Sequence, residues 1–134
     1  IFPRALEQGM DIFGYVYNGY WVDVGTPERL LAAQKELMER MKNLVVKGMV
    51  PGSIVPPVHI AGGDIAESAS IGPYVSIYKG AVVEAGAKVS NAVILPNARI
   101  GKGAVVEGTI VGYNAKVGEE ARVLNAGIYM GSQA

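Results

Sequence analysis

Large aliphatic residues recur through the second half of the chain at intervals of six positions, with an occasional interval of five. An α-helix does not keep one apolar face at such an interval, and a meander of hairpins needs a turn signal about every 8–12 residues. Strands of one hexapeptide each, three to a turn, satisfy the pattern as a parallel β-helix with coils of about 17–18 residues. The series consists of Ile65, Ile71, Ile77, Val83, Val89, Ile94, Ile100, Val106, Val111, Val117, Val123 and Ile128.

The β-helix interpretation also accounts for the glycine content, which is 18 of 134 residues against a usual share of about 7%. The large aliphatic residues fill the interior, and an alanine two positions earlier, such as Ala98 before Ile100, leaves room for each of them. Glycine relaxes the backbone where the chain turns a corner. One coil cannot bury its apolar face alone, so about four stacked coils are needed for stability. We expect the β-helix over residues 58–134.

The first part of the chain has a different pattern. A short helix is predicted over 3–8, ended by Gly9. Asn18-Gly19 lies between two strand-like runs and favours a two-residue β-hairpin. In that hairpin Trp21 and Asp23 share a face, and Gly14 opposite Asp23 leaves space beside the carboxylate.

A second helix is predicted over 27–41. Thr26 is a typical N-cap and Pro27 fits the first helical position. Glu36 and Arg40 have the spacing and order of a stabilising ion pair. Gly and Pro residues interrupt the following stretch, which predicts a linker over 43–57.

The charge and composition of the chain argue against several classes of function. Lys plus Arg and Asp plus Glu are both 12, so the net charge is zero and nothing indicates binding to nucleic acid or to an anionic membrane. The sequence contains no apolar run of membrane-spanning length, and it has no cysteine for disulfides or thiolate metal sites. We expect a cytoplasmic location. Because the chain begins with Ile1 and not with Met, we also expect a fragment or a processed product of a longer protein.

Two resemblances follow from these motifs. The hexapeptide pattern over about 58–130 resembles the left-handed parallel β-helix family. The stretch IFPRALEQGMDIFGYVYNGYWVDVGTPERLLAAQKELM resembles the end of the catalytic domain of sugar-phosphate nucleotidylyltransferases, in particular the mannose-1-phosphate guanylyltransferases and glucose-1-phosphate thymidylyltransferases. The expected fold is mainly β: a left-handed parallel β-helix preceded by a hairpin-plus-helix remnant of an α/β nucleotidyltransferase domain. Residues 1–42 would be that remnant.

The resemblance implies a reaction and three site residues. Members of the family join a sugar 1-phosphate to a nucleoside triphosphate and release pyrophosphate. The resemblance assigns Asp23 to a Mg²⁺ site that also needs an upstream Asp, and it assigns Trp21 and Gly25 to the sugar-phosphate side. The family's glycine-rich nucleotide loop does not occur in this sequence, so we expect the chain alone to lack transferase activity.

Two other interpretations stay open. Hexapeptide-repeat acyltransferases use a histidine as general base, and His59 is the one histidine of the chain. The β-helix is also compatible with a purely structural assembly module. In each case flat β-helix faces favour a homo-oligomer, with a trimer as the preferred state, and Tyr74, Tyr78 and Tyr113 are candidate contact residues.

Overall fold

The computed structural model describes residues 1–41, 52–128 and 131–132. Its helices are α1 (Phe2–Glu7) and α2 (Pro27–Arg40). Its strands are β1 (Ser53–Ile54), β2 (Val58–Ile60), β3 (Asp64–Ile65), β4 (Ser70–Ile71), β5 (Val75–Ile77), β6 (Val82–Val83), β7 (Lys88–Ser90), β8 (Ala92–Ile94), β9 (Arg99–Ile100), β10 (Val105–Glu107), β11 (Ile110–Val111), β12 (Lys116–Val117), β13 (Arg122–Leu124) and β14 (Gly127–Ile128).

The strands form three parallel sheets, and the chain visits them in strict rotation. Sheet A has the order β1-β4-β7-β10-β13, sheet B the order β2-β5-β8-β11-β14 and sheet C the order β3-β6-β9-β12. Each strand pairs with the strand one coil later, as when Ile77 pairs with Ile94 and Val106 with Val123. The predicted parallel β-helix is therefore confirmed.

The interior of the β-helix consists of the predicted aliphatic residues. All twelve members of the series are buried, and Ile77, Ile94 and Ile100 have no exposed surface. The small residues beside them, such as Ala98 and Ala104, are fully buried as well. Full burial of a Val or Ile side chain contributes about 1.5–3 kcal/mol, so the stacked coils hold most of the apolar stabilisation of the molecule.

The corners between sheets contain a column of residues with positive φ. The corner from sheet A to sheet B has Tyr74, Asn91, Gly108 and Asn125, one in each coil after the first. The corner from B to C has Gly80, Asn97, Asn114 and Gly131 in the same way. Glycine and asparagine tolerate this left-handed conformation best. Asparagine thus shares the corner role that the sequence pattern indicated for glycine alone.

Both helices lie where local signals predict them. Gly9 has φ +70° just after α1, and the Thr26 side chain accepts a hydrogen bond from the Arg29 N–H at 3.3 Å to cap α2. Of the apolar residues of α2, Leu31 and Met38 are buried, whereas Leu37 is 39% exposed.

The predicted hairpin is wrong. Residues 10–25 form neither helix nor strand, and neither Asn18 nor Gly19 has the positive φ that its turn requires. A two-stranded ribbon is at best marginally stable unless it packs on something. Phe13 and Tyr15 are about as exposed as free side chains, at 89% and 90%, so no core lies beneath this segment.

The β-helix begins earlier than residue 58. Strand β1 pairs with β4 through Ser53–Ser70 and Ile54–Ile71, so it lies within the range expected as a linker. Ile54 lies six positions before Ile60 and so continues the aliphatic series, but Pro51, Pro56 and Pro57 around it indicate a linker. Within the described residues, neither helix combines the length and the apolar character needed to cross a membrane.

Candidate functional site

The three residues that the resemblance assigns to a site lie on the segment leading into α2. Asp23 accepts a hydrogen bond from the Arg29 guanidinium, with 3.3 Å between Oδ2 and Nη1. Both side chains are mostly exposed, at 64% and 61%. A solvent-exposed pair of this kind contributes little to stability, so the Asp23 carboxylate is open to a stronger partner.

Trp21 and Asp23 share a surface cleft of about 330 Å³ with Arg29, Ala33 and Glu36. Trp21 itself is 78% exposed. A Cβ at Gly25 would lie 3.7 and 3.8 Å from the two Asp23 carboxylate oxygens, so the absence of a side chain leaves that flank of the carboxylate uncovered. The structure places Trp21 and Asp23 in one cleft and Gly25 beside the Asp23 carboxylate, without the predicted hairpin and its open position at Gly14.

The described residues do not form a metal centre by themselves. Among them, no group of three or more His, Cys, Asp or Glu side chains is placed to hold a metal ion. Asp23 can offer one carboxylate, and Arg29 beside it adds positive charge. Magnesium accepts one or two protein carboxylates when phosphates and water supply its other ligands, so the described residues supply at most one part of a Mg²⁺ site.

A second cleft adjoins the first and contains residues that sequence reasoning did not connect. The Arg40 guanidinium lies 4.7 Å from the centre of the Tyr20 ring and bonds Glu36 at 2.6 Å, which confirms the predicted Glu36–Arg40 pair. Desolvation, followed by the negative charge of Glu36, raises the pKa of Tyr20. Neither the Arg40–Tyr20 contact nor the Arg29–Asp23 pair has a helical spacing, so no local pattern could have indicated them.

The opposite side of α2 contacts the β-helix. Gln34 donates from Nε2 to the carbonyl oxygens of Tyr74 at 2.9 Å and Ala92 at 3.3 Å. The Tyr74 hydroxyl donates to Glu39 at 3.0 Å, and the Lys35 ammonium lies 4.9 Å from the centre of the Tyr74 ring. We call Gln34, Lys35, Glu39 and Tyr74 the helix clamp. Tyr74 is therefore engaged by α2 and is not the outward-facing contact residue that the sequence suggested.

His59 lies in β2, half-buried between the buried Val58 and Ile60. Its ring meets the Tyr78 ring edge-on, with 6.0 Å between centroids and 64° between planes. A histidine general base is usually oriented by a hydrogen-bonded partner. In the part of the chain that the structure describes, no carboxylate pairs with His59, so the geometry adds nothing to the acyltransferase interpretation.

Comparison with known proteins identifies sugar-phosphate nucleotidylyltransferases among the relatives of this chain. The chain is 30% identical to the probable mannose-1-phosphate guanylyltransferase 3 of Oryza sativa subsp. japonica over 97 residues, covering 67% of this chain and 25% of that protein. It is 44% identical to the glucose-1-phosphate adenylyltransferase of Clostridium novyi over 39 residues, covering 29% of this chain and 10% of that protein. The glucose-1-phosphate adenylyltransferase of Mycoplasma mobile is 43% identical over 44 residues, or 33% of this chain and 12% of that protein.

The relatives are nucleotidylyltransferases by name, which confirms the resemblance drawn from the sequence. The chain spans a quarter or less of the length of these relatives. The family model described as the GMPPB C-terminal domain matches residues 54–133, more than half of the chain and nearly the whole β-helix. The chain belongs to the GMPPB C-terminal domain family.

Proposed function

We propose that this chain is part of a sugar-1-phosphate nucleotidylyltransferase, which joins a sugar 1-phosphate to a nucleoside triphosphate and releases pyrophosphate. The family match over residues 54–133 carries the proposal. The names of the relatives favour mannose 1-phosphate or glucose 1-phosphate as the sugar substrate, and a guanylyltransferase of the mannose-1-phosphate type is our preferred assignment.

Within that enzyme, residues 1–42 would complete the catalytic domain and the β-helix would serve assembly. Asp23 would contribute one carboxylate to the Mg²⁺ site, and Trp21 and Gly25 would line the sugar-phosphate side. The shared cleft of Trp21 and Asp23 and the uncovered flank at Gly25 support these roles. When bound, Mg²⁺ neutralises charge on the phosphates; its other ligands would have to come from the substrates and from outside the described residues.

The partners follow from the same proposal. The complete enzyme would bind a nucleoside triphosphate and a sugar 1-phosphate in the cytoplasm, without nucleic acid or membrane partners. It would assemble as a homo-oligomer through its β-helix, and we prefer a trimer.

The test is a pyrophosphate-release assay with mannose or glucose 1-phosphate, each nucleoside triphosphate in turn and Mg²⁺. We expect no release from this chain alone, because it has no nucleotide loop. The product of the complete reading frame that contains this sequence should release pyrophosphate. Asp23→Ala should lower that rate by on the order of 100-fold or more, as removal of an electrostatic stabiliser does.

Asp11→Ala is the matched control, because Asp11 is an exposed acid on the same irregular segment and should be dispensable. Equal rates for Asp23→Ala and the wild type would refute the role of Asp23. Absence of release by the complete protein with every substrate pair would refute the proposed activity.

A further inference from the structure

The Asn18-Gly19 dipeptide has no role in the fold that it was expected to support. Both residues lie in the irregular stretch 10–25, and Asn18 is exposed. Neither residue adopts the positive φ of a hairpin turn. The pair therefore keeps the conformational freedom of an open, solvated segment.

An asparagine followed by glycine in such a segment can react with its own backbone. The Gly19 nitrogen attacks Cγ of Asn18, a new C–N bond forms and the Cγ–Nδ2 bond breaks, and the Gly19 N–H proton leaves with the side-chain nitrogen as ammonia. Water then opens the resulting succinimide to aspartate or isoaspartate, so water is the one co-reactant. The reaction needs a backbone that can rotate, and it is fastest when the next residue has no Cβ to obstruct the attack.

The asparagines of the β-helix lack these conditions. Each has a positive φ at a corner of the β-helix and is followed by alanine, so both the backbone and the next Cβ oppose the attack. The N–H that would have to attack is also engaged in each case. The hydrogen bonds are Ala92 to the Tyr74 carbonyl, Ala98 to the Leu95 carbonyl, Ala115 to the Gly112 carbonyl, and Ala126 to the Thr109 hydroxyl, at 3.1, 3.1, 3.2 and 3.5 Å.

We propose that Asn18 is a site of selective spontaneous deamidation, and that the β-helix protects Asn91, Asn97, Asn114 and Asn125 from the same reaction. The modification has a local consequence. Asn18 shares a cleft with Tyr20, Glu36 and Arg40, so a new carboxylate there competes with Glu36 for the Arg40 guanidinium. The isoaspartate product also adds one methylene to the backbone five positions before Asp23.

The experiment follows the intact 134-residue chain during incubation at mildly alkaline pH, with peptide mapping by mass spectrometry. We expect the peptide that contains Asn18 to gain one dalton and one negative charge, and to resolve into aspartate and isoaspartate forms. The same chain in guanidinium chloride provides the reference rate of each site. Asn18 should react at the same rate folded and unfolded, whereas the corner asparagines should react at least about tenfold more slowly when folded, because they must first open locally.

Two variants test whether the modification depends on the Asn18-Gly19 pair. Asn18→Gln should abolish the early charge variant, because its longer side chain closes a six-membered ring far more slowly, and an exposed substitution in an irregular segment should not disturb folding. Gly19→Ala should slow the reaction at Asn18. A folded chain in which Asn18 is protected relative to the unfolded chain would overturn the proposal. So would corner asparagines that react as fast folded as unfolded.

Discussion

At the corners of the β-helix, side chains of one coil occupy the space left by glycines of the neighbouring coil. A Cβ at Gly80 would collide with the Asn97 side-chain oxygen, and one at Gly108 would collide with that of Asn125. The glycines thus suit their own φ, and they also leave the space that the asparagine of the next coil occupies. The sequence indicated the first of these, but the second depends on which residues stack seventeen positions apart.

At Gly101 the space taken by the next coil can be tested separately from backbone conformation, because this glycine does not have a positive φ. It is buried, and a Cβ there would lie 2.7 Å from the Gly118 carbonyl carbon and 2.8 Å from the Glu119 nitrogen. Backbone cannot move aside as a flexible side chain can, so Gly101→Ala should lower the free energy of unfolding by about 1–3 kcal/mol. Urea unfolding followed by circular dichroism measures this. Gly14→Ala, which has nothing within 4 Å of its Cβ, should change the free energy by less than about 0.5 kcal/mol.

The site residues show the limit of sequence reasoning at this scale. Asp23 and Trp21 were found through the resemblance, and their proximity follows from two positions of separation. The partner of Asp23 was not found, because Arg29 is six positions away across a helix cap. Only the path of residues 24–26 into α2 brings that guanidinium back to the carboxylate.

Helix α2 was predictable as an element because its determinants are local. Thr26 and Pro27 determine where it begins, and the helix-compatible residues that follow extend it to Arg40. Its packing was not predictable, because the carbonyls that Gln34 contacts are 40 and 58 positions away. The hairpin failed for the converse reason: its local turn signal had no surrounding sheet to stabilise the strands.

The helix clamp predicts a dependence on alkaline pH. The hydrogen bond from Tyr74 to Glu39, followed by desolvation and the charge of Glu39, raises the pKa of Tyr74. A raised pKa in the folded state means that this contact stabilises the protein below the ordinary pKa of a tyrosine. That contribution is lost as the pH rises through the folded-state pKa of Tyr74.

We therefore expect Tyr74→Phe to be slightly less stable than the wild type at neutral pH, and the two to converge at alkaline pH. Urea unfolding at a series of pH values measures the difference. Tyr113→Phe is the control, because Tyr113 is exposed and lies outside the helix clamp. A gap between Tyr74→Phe and the wild type that widens toward alkaline pH would contradict the assignment.

The β-helix was the most predictable part of the molecule, because every coil repeats the same environment. A residue such as Ile94 meets Ile77 on one side and Val111 on the other, so one period in the sequence fixes both the strand spacing and the sheet order. The first strand of the β-helix was not predicted, because the prolines around β1 indicated a linker. Assembly into oligomers depends on the outward-facing residues, and the six-residue period of the inward-facing residues does not indicate which of them form contacts.

Assembly gives a prediction for the whole molecule. We expect sedimentation equilibrium to give three times the chain mass of 14.1 kDa. Because Tyr74 is engaged by α2, the remaining tyrosine candidates are Tyr78 and Tyr113, both between sheets B and C and 36% and 48% exposed. Tyr113→Lys should shift the mass toward a monomer, since burying an unpaired ammonium is costly. Leu124→Lys, at an exposed position of strand β13 in sheet A, should leave it unchanged, and a monomeric wild type would refute the trimer.

The rotation of the chain through three parallel sheets also determines how the molecule resists force. Every inter-strand hydrogen bond of the β-helix joins one coil to the next, so a pull on the two chain ends loads these bonds one coil at a time instead of all together. The β-helix should therefore yield by peeling from its ends, each released coil of 17 or 18 residues adding about 60 Å of contour length. Under force along its axis, the β-helix should unfold in a series of small extension steps, one per coil, and not in a single rupture.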